Sequence, residues 1–170
     1  MSTRGYVGIR MNNEDKGGYN HFDSYPSGLG SEILIFLKNK TIQNISSIFN
    51  DIGNVETNEK EDSFDWRKHE INSKMEIYNS FLYDSLFCEY AYIINLDERV
   101  LEIYRGFNKD PNANGRYAKF KDEEDSVYYG VVLIQTISLE ECFNGNWKVD
   151  NDDNFIKISW RAPNGKVADL

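Results

Sequence analysis

Glu89–Asn95 and Val100–Phe107 are two runs rich in Tyr, Ile, Val and Leu, separated only by Leu96-Asp97-Glu98-Arg99. Aromatic and β-branched side chains favour strands, and a short polar break between two such runs predicts a hairpin. No other stretch constrains the fold as tightly. A second hairpin is expected near the start. Gly5–Met11 carries Tyr6, Val7 and Ile9 and reads as a strand, Asn12–Gly17 has turn chemistry, and Gly18–Asn20 would return.

Helical periodicity takes over from Ser31, where Ile33, Leu34, Phe36 and Leu37 recur at helical spacing. Thr41 is placed to cap a second helix through Ile42, Ile45, Ile48, Phe49 and Ile52, with Gly53 as its stop. Met75, Ile77, Tyr78, Phe81, Leu82 and Leu86 predict a third helix over about residues 75–86. Tyr128–Ile137 reads as a central strand, and Ser138 caps a short helix through Cys142 and Phe143. Ile156, Ile158 and Trp160 alternate with Lys157 and Ser159 as in a half-buried strand, and Ala162–Leu170 is expected to fray. Asn54–Asp65 and Asn108–Asp125 are polar and read as loops. Strands and helices without strict alternation give an α+β fold: one domain over residues 1–170, a central antiparallel sheet, and helices packed on it. Residues 145–170 read as a variable C-terminal extension.

Charge bounds the partners. The chain has 28 Asp and Glu against 19 Lys and Arg, a formal charge of −9. Such a surface repels phosphate backbones and disfavours direct nucleic-acid binding; it suits a basic protein partner. Two cysteines, Cys88 and Cys142, make no disulfide framework, and His21 and His69 form no metal motif. Asp150-x-Asp152-x-Asn154 brushes a calcium loop, but Phe155 and Arg161 occupy positions that need Gly and Glu. No cofactor is expected. The N-terminus lacks an apolar leader and no run reaches the ~18 apolar residues of a membrane span, so the expectation is a cytoplasmic protein without membrane contact. Composition leaves the oligomeric state open.

The densest chemistry lies in Gly17–Gly30, where Asn20, His21, Asp23, Ser24 and Tyr25 fall within six residues. A His near a carboxylate can act as a general base, with the Ser24 and Tyr25 hydroxyls as nucleophile or proton donor. Asn and Asp also build turns by bonding to the backbone, which is the simpler use of the same residues. Arg105, at a strand end, and Arg116, in a glycine-containing loop, could neutralise an anion.

Two resemblances bear on function. Ser2, a following strand, a turn, and a second strand ending in Tyr19-Asn20-His21-Phe22-Asp23 resemble the bile-salt hydrolase and penicillin V acylase branch of the N-terminal nucleophile hydrolases. This resemblance implies an amidohydrolase with Ser2 as nucleophile and Asn20 and Asp23 orienting its amine. Ser2 stands where that branch has Cys, and Tyr19 where it has Arg. The second runs from Thr3-Arg4-Gly5-x-x-Gly8-x-Arg10 through Tyr19-Asn20-His21-Phe22-Asp23-Ser24-Tyr25-Pro26-x-Gly28-Leu29-Gly30, with Leu101–Phe107 and Gly115-Arg116 further on. It is similar to a family of small proteins encoded by phages, prophages and bacteria. That context implies an inhibitor, anti-CRISPR-like, whose carboxylates mimic phosphates in the groove of a host defence or nucleic-acid-processing enzyme. Glu56, Glu59, Glu61 and Asp62, with Asp122, Glu123, Glu124 and Asp125, and Asp150, Asp152 and Asp153, are the acidic groups that would serve.

Overall fold

The computed structural model describes residues 2–52, 77–145, 147–149, 158–161 and 167–169. The expected α+β architecture is present. Strands β1 (Gly5–Met11), β2 (Glu14–Asn20), β3 (Tyr90–Asn95), β4 (Val100–Arg105) and β5 (Val132–Ser138) form one sheet in the order β2-β1-β3-β4-β5. Three of its pairings are antiparallel, and β1 runs parallel to β3. A second sheet, β6 (Trp147–Val149), β7 (Ile158–Arg161) and β8 (Val167–Asp169), is antiparallel throughout and takes in part of the tail expected to fray.

One face of the larger sheet carries α1 (Ser31–Leu37), α2 (Ile42–Asp51) and α3 (Leu139–Asn144). Their Ile33, Leu34, Leu37, Ile45, Phe49, Leu139 and Cys142 close over Val7, Ile9, Tyr92, Ile94, Leu101 and Ile103. Thr41 caps α2 as expected: its hydroxyl accepts from Asn44 N at 3.1 Å while Thr41 N donates to Asn44 Oδ1 at 3.0 Å. The helix runs to Asp51 with Ile52 at its C-terminal cap, and Gly53, the expected stop, lies outside the described residues. Lys16, reaching across from β2, donates its Nζ to Phe49 O and Ile52 O and lies over the Phe49 ring. A cation on the last carbonyls also complements the helix dipole.

The opposite face has no α-helix among the described residues. Tyr6, Ala91, Ile93 and Tyr104 are covered there by Phe81, Leu82, Cys88, Tyr117 and Val131 from irregular segments. The helix expected over residues 75–86 is, where described, only a 3₁₀ turn at Asn79–Tyr83. The backbone leaves the helical region at Asp84, φ −105 and ψ 77, and Asn79 holds the turn against the sheet: it accepts from the Tyr6 hydroxyl at 2.7 Å and donates to Asp15 O at 2.6 Å. Tyr128–Ile137 is likewise corrected. Tyr129 N, Gly130 N and Val131 N bond to Asn108, Phe120 and Leu82, so the strand begins only at Val132 and forms an edge of the sheet.

The first hairpin is longer than its composition implies. Asn12 and Asn13 alone make the turn, at φ 54 and 61, values Asn tolerates and a two-residue turn requires. Glu14–Gly17 therefore pair with β1, setting Gly17 opposite Gly8. The Tyr6 ring lies across both: a Cβ on Gly17 would sit 2.3 Å from Tyr6 Cζ and one on Gly8 2.7 Å from the same ring. The Asp97 carboxylate accepts from Asn12 N and Asn13 N at 2.8 and 2.9 Å, tying this turn to the β3–β4 turn.

Gly17→Ala is expected to lower unfolding stability by roughly 2 kcal/mol, because the Tyr6 ring has no room to retreat. Thr41→Ala should cost about 1 kcal/mol through the lost cap. Urea unfolding of the two variants measures both, and a Gly17→Ala effect no larger than the cap's would show that Tyr6 can move. The backbone N–H groups of Asn13 and Asn12 hold the Asp97 carboxyl below its ordinary value. Its contribution is thus complete above the unfolded value of about 3.9 and is lost as pH falls through the lower folded one. Asp97→Ala should narrow its stability gap to wild type as the medium is acidified below about pH 4.

Candidate functional site

Asn20–Tyr25 leaves β2 and crosses beneath the start of β1. Ser24 is 0% exposed; its N–H donates to Thr3 O at 3.1 Å and its carbonyl accepts from the buried Tyr92 hydroxyl at 2.8 Å. Gly5 leaves room for this crossing, since a Cβ there would meet Ser24 Cβ at 2.6 Å. Asn20 Nδ2 donates to Phe22 O at 2.7 Å and Ser24 Oγ at 2.9 Å. Asp23 takes a left-handed φ of 52 and accepts the Tyr25 hydroxyl at 3.2 Å, while its carbonyl receives Leu29 N. Pro26–Gly30 then forms a wide helical turn that leads into α1.

The candidate acid–base pair is not brought together. His21 is exposed and its Nδ1 contacts the Tyr19 hydroxyl, whereas Asp23 is bonded to Tyr25. Asn20 and Asp23, the residues that would orient the amine of Ser2, hold loop bonds instead. Ser2 itself is half-buried ahead of β1. Asn20, Asp23 and Ser24 are thus engaged in building a turn, while His21 stays at the surface. Around it lies an aromatic rim: His21 meets Phe22 edge-on, Tyr19 meets Phe81, and the Arg4 guanidinium sits over Phe87. Burial raises the Tyr19 phenol, opposed by the nearby Arg4 charge.

The sheet face without helices holds a polar cluster that sequence alone did not reveal. Glu102, 4% exposed on β4, is gripped by both terminal nitrogens of Arg116, one of them 2.7 Å from Oε2. Arg116 Nε donates to the Tyr117 hydroxyl, which donates to Asp15 Oδ2 at 2.7 Å. Arg10 contacts the other Asp15 oxygen at 3.0 Å. The Tyr104 hydroxyl is buried beside Glu102 without an aligned partner. Burial of Arg116 works against its charge, but the Glu102 carboxylate outweighs that and holds the guanidinium firmly protonated. Burial, then the Asp15 charge, pushes the Tyr117 phenol far above its ordinary range. Arg116 is therefore matched within the fold, a clasp that pins the 108–131 segment to β4. Arg105 is exposed at the end of β4, apart from this cluster.

Asp122, Glu123, Glu124 and Asp125 are all exposed on that clasped segment. Glu56, Glu59, Glu61, Asp62 and His69 lie outside the described residues, as do Asp150, Asp152 and Asp153. Among the described residues no group of three His, Cys, Asp or Glu could hold a metal, and no helix is long and apolar enough to cross a membrane.

Glu102→Ala is expected to cost roughly 3 kcal/mol, near the lower end for a broken buried pair because the Arg116 side chain keeps 30% exposure. Glu102→Leu combined with Arg116→Met should recover much of that loss. Denaturant unfolding of the single and double variants checks it, and an additive double would remove the clasp from the account.

Comparison with protein-family models, with curated proteins and with solved structures gives no match.

Proposed function

We propose that the chain is a small acidic binding protein that offers carboxylates to a basic protein surface. The nucleic-acid groove of a host defence or nucleic-acid-processing enzyme fits such a display best, and the chain would act there as an inhibitor. The observation that carries the reading is the exposed run Asp122–Asp125 on a segment whose base is anchored in the core.

Tyr117 and Ala118 are buried, Gly130 N donates to Phe120 O, and Ser126 N closes a turn on Glu123 O. Lys119 and Lys121, the cations nearest in sequence, lie over the rings of Phe120 and Tyr129. Burial raises the Asp84 carboxyl, Phe87 N–H opposes that, and the Asp122 charge adds to the rise; the acidic field thus extends beyond the loop. Carboxylates presented from an anchored segment lose less freedom on binding than those of a free tail. An amidohydrolase reading has no comparable support, because Asn20 and Asp23 are bonded within the turn and the exposed His21 contacts Tyr19 rather than Asp23.

The test begins with capture of a basic partner from a host lysate and continues with that partner purified. Neutralising the loop (Asp122→Asn, Glu123→Gln, Glu124→Gln, Asp125→Asn) should lower affinity by about tenfold or more, chiefly through the association rate, and flatten its salt dependence. Equal binding by the neutral loop would remove the proposal, and loss of activity in Ser2→Ala would restore the hydrolase.

A further inference from the structure

Phe107 is the one aromatic residue with a left-handed backbone among the described residues: its φ is 57, and its side chain is 51% exposed. Asn12, Asn13, Asp23 and Asn39 share that region and are residue types that tolerate it; a phenylalanine is not. Backbone and buried polar groups, not the ring, hold this conformation. Gly106 N donates to Glu89 O at 2.8 Å, Phe107 N to Ser85 O at 2.6 Å, and Asn108 N to the buried Ser85 Oγ at 2.9 Å. Gly106 cannot change, since a Cβ there would sit 2.1 Å from Cys88 O. At residue 107, by contrast, Gly or Asn would make the same turn with less strain. Strain that the fold does not require points to a use for the side chain that bears it.

The same turn sets Phe107 beside the acidic run. Asn108 O accepts Tyr129 N at 2.7 Å and Asn108 Nδ2 donates to Gly130 O at 3.0 Å, while the Ser126 turn links Tyr128 back to Glu123. On the other flank the Asp122 charge reaches Asp84, the neighbour of Ser85. Leu86, Phe87 and Val127, in the segments that these bonds join, are exposed as well. Carboxylates outnumber cations here: Arg105 and Lys109 flank Phe107, against Asp84, Asp110 and Asp122–Asp125, and Lys109 is held over the Tyr128 ring at 5.3 Å.

We propose that Phe107 is the apolar anchor of the docking surface whose acidic part is Asp122–Asp125, and that its occupant is a basic protein surface with an apolar recess among its Lys and Arg side chains. This rests on the carboxylate display proposed above and adds a second element to it. The carboxylates steer the encounter, and an aromatic side chain in a desolvated recess slows departure. A backbone fixed by hydrogen bonds presents the ring before contact, so little of its freedom is lost on binding. Charge complementarity selects this occupant. A second copy of a chain with a formal charge of −9, or an anionic surface, would be repelled by the same carboxylates.

Two Arg-rich peptides of equal length and charge, one with Leu and one with Ser between the arginines, serve as probes. Wild type should hold the Leu peptide about tenfold tighter, with the difference in its dissociation rate. Phe107→Asn should abolish that preference, keep the affinity for the Ser peptide, and melt at or above the wild-type temperature, because Asn accepts a left-handed backbone. Ile35→Ser, at a 65% exposed position on α1, should leave the preference intact. Three results would each overturn the Phe107 assignment and leave the acidic display standing: equal affinity of wild type for the two peptides, a preference that survives Phe107→Asn, or a Phe107→Asn variant that melts well below wild type. Ser-peptide binding unmoved by neutralising Asp122–Asp125 would overturn the acidic display instead. Concentration-dependent dimerisation that Phe107→Asn abolishes would put a second copy on this surface and overturn the proposed occupant.

Discussion

The parallel pairing of β1 with β3 is the constraint on which the rest depends. Each hairpin closes locally through a short turn; Asn20 and Tyr90 both lie level with Gly5, so β2 ends where β3 begins and the connection between the hairpins has to pass over β1. The first part of this connection is the Asn20–Gly30 turn, α1 and α2, which places the helical layer on one face. The other face is then left to the irregular segments between strands. Side-chain ties between the hairpins sit at both ends of this pairing: the Glu89 carboxylate on Arg4 N at one, Asp97 on the Asn12–Asn13 turn at the other.

This division explains the contrast between the two faces. The helical side is almost wholly apolar and packs by ordinary periodicity. The other side mixes Tyr6, Tyr104 and Tyr117 with Glu102, Arg116, Asp15 and Arg10, and is held by directed hydrogen bonds as much as by area. A layer of loops has few repeating contacts, so a buried charge pair supplies the definition that ridges and grooves supply on the helical face. The same clasp keeps Asp122–Asp125 on a defined platform.

Much of this was legible from local sequence and some of it was not. The β3–β4 hairpin, β1, α1, α2 with its Thr41 cap, and the short α3 follow from periodicity and turn chemistry. The extent of β2 does not: Glu14, Asp15 and Lys16 are poor strand formers, and they pair only because Asn12-Asn13 closes so tight a turn. The edge position of β5 is equally tertiary. In the candidate site, sequence located Asn20–Tyr25 as a singular stretch and offered a turn as its simpler use, but not the anchoring of that turn at Gly5 and Tyr92. Glu102 was missed although a lone Glu inside an otherwise β-branched and aromatic strand is itself a signal of a buried partner. That partner, Arg116, lies in a segment with no periodicity to announce it.

The two cysteines take on a particular meaning in this layout. Cys88 belongs to the loop-covered face and Cys142 to the helical face, both fully buried as free thiols. Burial raises both, Cys142 to about 12, so neither offers a thiolate at neutral pH while its layer is closed. Alkylation of either one then depends on local opening around it. The molecule thus carries two separately addressable clocks, one timing the breathing of its loop layer and the other that of its helices.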